Sequence, residues 1–191
     1  MYSIDELPLQ DLQNFWSLLY MDFCRKICTD HPAEGETVIR RAIAETGRRQ
    51  GEWQRQEHEQ MGLNTNLHSF FLDGRGAVCD PRSAAAVHTR NTEVCLWDRY
   101  ICPMANYWAA HSAEAYGRFY CEEYMRAFLS GYTGGKGQFH LSKVLTDKRD
   151  ILCQFAAYFR PANLELEQRR KAFESTPVRQ EAPVGSFSDY I

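Results

Sequence analysis

No stretch of this sequence approaches the roughly 18 apolar residues that a membrane-spanning helix needs, so no membrane association is expected. Charge of one sign is missing too. The chain carries 22 Lys and Arg against 25 Asp and Glu, net −3, and the cations are scattered, which gives no electrostatic footprint for nucleic acid. The opening residues Met1-Tyr2-Ser3-Ile4-Asp5-Glu6 are acidic where a secretory signal would be basic, so a cytoplasmic protein is expected. A phosphate-cradling loop is absent: the glycines from Gly131 to Gly137 precede a strand pattern rather than a helix, and no cofactor is expected. Paired zinc-ligand spacings are lacking as well. Cys24 and Cys28 share one helical face, but with only His31 nearby they cannot complete a tetrahedral set, so no metal is expected. Seven cysteines, an odd number in a chain large enough to bury one core, argue for reduced thiols rather than a disulfide framework.

What is present is a chain of 191 residues, 44% hydrophobic, which predicts one domain over residues 1–161. Residues 162–191 read as a charged helix followed by a mobile tail. Leu12, Phe15, Trp16, Leu19, Phe23 and Ile27 recur at three- and four-residue steps, predicting a helix from Leu9 to Cys28. Periodicity does not say whether that stripe meets the core or a second copy, so a homodimer stays open. A second helix is expected from Glu34 to Met61, with Gly47 and Gly51 one turn apart. Glycine inside a helix costs about 1 kcal/mol relative to alanine, so this pair points to close approach of another helix. The segment 63–82 reads as loop with a short strand around Phe70-Phe71-Leu72.

Residues 86–101 are rich in β-branched and aromatic side chains and predict one long strand. A short helix from Pro103 to Ala110 follows, then a longer one capped by Ser112 and closed by Gly131. Residues 139–145 and 151–159 alternate with period two and form a hairpin around Asp147-Lys148-Arg149-Asp150. The order predicts an α+β fold, with helices packed on a small antiparallel sheet made of one long strand plus a C-terminal hairpin.

Cys102 stands where the strand ends and the helix begins. Pro103 suits the first helical position, making Cys102 the N-cap, where free N–H groups and the positive end of the helix dipole stabilise a thiolate. The alternative is a small buried residue at a corner, since free cysteine is among the most buried residue types. His111 and His140 are the candidate proton carriers. Arg90, sharing a strand face with His88, and Arg99, beside Asp98, could each pair with a ligand carboxylate.

The segments Cys102-Pro103-Met104-Ala105, Phe119-Tyr120-Cys121-Glu122, Gly131-Tyr132, Lys143-Val144-Leu145 and Asp150-Ile151-Leu152-Cys153-Gln154-Phe155 resemble the L-2-amino-thiazoline-4-carboxylic acid hydrolase family. The likeness spans roughly residues 34–160 and departs from the family pattern at Arg149, Thr133 and Glu122-Glu123. It implies a hydrolase that opens a small cyclic amidine or related heterocycle. On that reading Cys102 is the nucleophile and His140 or His111 moves the proton, while Asp150 orients a base or holds an amino group. Cys121 and Cys153 line the pocket, and Arg90 or Arg99 holds a substrate carboxylate. Two other readings compete: a non-catalytic module that binds a small molecule, and a cyclase or lyase of small-molecule biosynthesis on the same scaffold.

Overall fold

The computed structural model describes residues 9–72 and 83–160. Within them the α+β class is borne out: five helices pack against a four-stranded antiparallel sheet. The helix and tail expected after residue 161 lie outside the described residues.

Helix α1 (Leu9–Asp30) and helix α2 (Gly35–Gln60) are joined by a short turn, where the Gly35 amide donates to the His31 carbonyl at 2.7 Å. Helix α2 then runs against helix α5 (Glu114–Tyr132) in the most extensive contact between two elements. The glycine pair explains it. A Cβ on Gly47 would lie 2.6 Å from the Tyr124 carbonyl oxygen; one on Gly51 would overlap the Phe128 carbonyl and lie 2.5 Å from the Tyr132 amide nitrogen. Gly131 answers from α5, where a Cβ would run into the Arg48 carbonyl. Two buried polar residues of α2 serve the same junction: His58 Nδ1 lies 2.8 Å from the Tyr132 hydroxyl, and Gln54 Nε2 donates to the Phe70 carbonyl at 3.0 Å.

Four expectations are corrected. The single long strand is two, β1 (Ala84–Arg90) and β2 (Val94–Ile101), because Asn91 folds the chain back. Its side-chain oxygen accepts from the Glu93 and Val94 amides, both at 2.8 Å, offering the backbone a turn in place of a ladder. The short strand at Phe70 is a helix, α3 (Leu67–Leu72), nucleated by the Asn66 side chain accepting from the Ser69 amide at 2.9 Å. Ser112 does not cap α5. It takes a left-handed φ of 53° at the end of helix α4 (Pro103–Ala110), and Ala113 is the N-cap. Nor does Gly131 close α5, which ends one residue later; the glycines with positive φ that follow are Gly134 and Gly135.

Strands β3 (Gln138–Lys143) and β4 (Cys153–Tyr158) form the expected hairpin around a long loop, 144–152, and the sheet order is β1-β2-β4-β3. Cys95, Trp97, Phe139, Phe155 and Ala157 line its inner face against Phe70 of α3 and Phe128, Leu129 and Tyr132 of α5. Replacing Gly51 with alanine should therefore force α2 and α5 apart and lower stability by roughly 1–3 kcal/mol. Urea unfolding checks this: an unchanged midpoint would contradict the backbone contact.

Candidate functional site

The site forms where β2 leaves the sheet. Arg99 and Cys153 are Cα partners across β2 and β4, so their side chains share the inner face, one step beyond the pair Trp97 and Phe155. Cys102 follows β2 directly, in extended conformation (φ −127°, ψ 111°), and is the N-cap of α4 with Pro103 at its start, as the sequence predicts. It is 7% exposed. Its sulfur makes no capping bond to the α4 amides. Instead it lies within electrostatic reach of Cys121, which α5 supplies, and of Cys153. Arg99 acts on both of these thiols and on the Tyr120 hydroxyl.

The surroundings are poor in compensating charge. The Arg99 Nε is buried without a hydrogen-bond partner, and no carboxylate among the described residues forms an ion pair with this guanidinium. Burial pushes the Cys153 thiol up to about 11, although the Leu145 amide donates to its sulfur at 3.2 Å. Burial raises Cys121 further, with the neighbouring thiols adding to it, while the buried hydroxyl of Thr146 faces that sulfur and opposes the rise. Tyr120 is likewise held protonated by burial. Three thiols, a phenol and a threonine hydroxyl thus meet one cation that has no counter-ion among the described residues.

Of the residues expected from sequence, Cys102, Cys121, Cys153 and Arg99 come together. Arg90 does not: it is the Cα partner of Cys95, four residues before Arg99 and about 13 Å along the sheet at some 3.3 Å per residue. His140 pairs with Ala156 and projects from the outer face of the sheet, exposed, with its ring 6.0 Å from that of Tyr158. His111 sits at the far end of α4, exposed, stacked on Tyr107 and donating from Nδ1 to the Tyr107 carbonyl at 2.7 Å. Neither histidine is placed to move a proton at Cys102. Asp150 acts on the backbone, accepting from the Val144 amide at 2.9 Å and so fixing the loop whose Leu145 amide reaches Cys153. Sequence reasoning missed Tyr120 and Thr146; Tyr120 adjoins Cys121 in the chain, whereas Thr146 gives no local signal.

Among the described residues no group of three His, Cys, Asp or Glu side chains is arranged to hold a metal ion. Cys24 and Cys28 belong to a small core with Ile39, Ile43 and Phe119. A separate surface cleft of about 550 Å³ runs between α5 and the 144–152 loop; Arg118, Glu122, Lys143, Asp147 and Arg149 line it, Asp150 borders it, and no cysteine does. Neither protein-family models nor curated proteins return a match to this chain.

Burial also raises Cys24 to about 11 and Cys95 to about 12. A thiol whose folded pKa lies above its unfolded value keeps its proton in the native state after the unfolded chain has lost it, so unfolding is favoured as pH rises. The stability these thiols contribute is complete below about pH 8.5 and is lost toward pH 11–12. Urea midpoints measured from pH 8 to pH 10 should show a loss of roughly 1–2 kcal/mol for each of Cys24, Cys95 and Cys153. Cys95→Ala should start lower and fall less steeply.

Proposed function

We propose that this chain is a hydrolase of small cyclic amidines bearing a carboxylate, in keeping with its resemblance to the L-2-amino-thiazoline-4-carboxylic acid hydrolases. Cys102 is the nucleophile and Arg99 the carboxylate partner. The observation that carries this reading is the Arg99 guanidinium, unpaired among the described residues and set against the three thiols. A half-buried cation without a counter-ion is costly, and a ligand carboxylate is the planar, bidentate group that a guanidinium fits best.

In the reaction the Cys102 sulfur forms a bond to the amidine carbon, and the C=N electron pair moves to nitrogen, which takes a proton. Collapse of the adduct breaks the ring bond at that carbon, and the departing heteroatom is protonated. Water then adds to the same carbon and expels the Cys102 thiolate. Tyr120, kept protonated by burial, is a hydrogen-bond donor in the field of Cys102; Thr146 supports Cys121, and Asp150 and Leu145 hold the loop that closes on Cys153.

The test is turnover of a panel of cyclic amidines, with and without a carboxylate. Cys102→Ser should abolish ring opening while leaving the fold intact by circular dichroism; full activity in this variant would remove the nucleophile. Arg99→Gln should raise KM about 10- to 100-fold for the carboxylate-bearing members, the worth of a hydrogen bond to a charged group, and leave uncharged analogues unchanged. An equal loss for both sets would show that Arg99 does not recognise the carboxylate. Binding of the panel without turnover by the wild type would favour the non-catalytic module.

A further inference from the structure

Helix α1 is apolar on two sides: Tyr20, Met21, Cys24, Ile27 and Cys28 pack into the core, and a second apolar stripe looks away from it. Gln13, Asn14 and Ser17 lie on its inward side with Met21 and Cys24, and the fully buried Trp108 indole N–H donates to the Ser17 carbonyl at 3.1 Å. The apolar stripe faces outward: Leu12 is 54% exposed, Phe15 61%, Trp16 37%, Leu19 42% and Phe23 60%. Steps of three and four residues put all five within one arc of the helix, and Leu18, 38% exposed, widens it. Trp16 packs one side of its ring on Tyr20 and Tyr120, while Leu12, Phe15, Leu18, Leu19 and Phe23 keep more than a third of their surface exposed.

We propose that the stripe is a homodimer interface in which α1 packs antiparallel on α1 of a second copy. The first reason is area. The six side chains offer on the order of 600 Å² of apolar surface, at the upper end of what a monomer exposes in one patch, and two such faces would bury about 1,200 Å², the lower end of a standard interface. Self-complementarity is the second. A two-fold axis passing between Ser17 and Leu18 sets Leu12 across from Phe23 and Trp16 across from Leu19, so large side chains meet along the whole seam. The antiparallel direction follows from this axis, which lies across the helix; the charges are neutral to it, because Arg25 and Lys26 are already paired with Asp22 and Asp30 on their own helix.

Sedimentation of the full chain between 1 and 50 µM should give a mass of twice 22.2 kDa at the upper concentrations. The pair Phe15→Glu and Phe23→Glu, at exposed sites, should yield a folded monomer. A wild-type monomer at every concentration overturns the proposal, as does a dimer indifferent to the two glutamates. A monomer that co-sediments with lipid vesicles through the same stripe overturns it in favour of a membrane surface.

Discussion

The backbone contact between α2 and α5 governs the arrangement of everything else. Gly47 and Gly51 on one helix and Gly131 on the other remove the side chains that would hold the two backbones apart, so α5 can settle at one height and one rotation only. With that fixed, Phe128, Leu129 and Tyr132 meet the sheet, and Cys121 comes to the end of β2. Gly117 repeats the device two turns before Tyr124 on α5: a Cβ there would strike the Trp108 ring. Its absence lets α4 lie against α5 and delivers Cys102 to the same corner. The meeting of thiols therefore follows from where side chains are missing.

The corner is unusual for the sign of what it buries. Thiols placed away from water stay protonated, because burial penalises the charged form, and Cys121 and Cys153 follow that rule. The Arg99 guanidinium stands beside them, its Nε buried without a hydrogen-bond partner, and no carboxylate among the described residues pairs with it. Either a thiolate or a ligand carboxylate restores the balance. Both chemistries enter the proposed reaction, one as the attacking group and the other as the handle by which the substrate is held.

Much of this fold was legible locally. Pro103 marked the start of α4 and made Cys102 its N-cap, the glycine pair announced helix packing, and alternation over residues 139–145 and 151–159 gave the hairpin. The errors lie where one side chain overrides a pattern. Asn91 turns a run of β-forming residues back on itself, and Asn66 starts a helix within an aromatic stretch that reads equally well as strand. At the site, Cys102, Cys121 and Cys153 were singled out one at a time, but only the sheet register chooses Arg99 over Arg90. Register, too, sends His140 to the outer face, since a step of one residue along a strand exchanges the two sides of the sheet.

Helix α1 meets the site through α4. Trp108 is fully buried, hydrogen-bonded to the Ser17 carbonyl, and packed edge-on or tilted against Trp16, Tyr20 and Tyr120. Tyr120 adjoins Cys121 and shares the field of Cys102 and Arg99. A chain of aromatic contacts thus runs from the outward stripe, at Trp16, to the hydroxyl beside the thiols. Close-packed rings of this kind transmit displacement because they leave no free volume to absorb it. Trp16 and Trp108 both rest on Tyr120, so the outward stripe and the hydroxyl beside the thiols share one packed aromatic group.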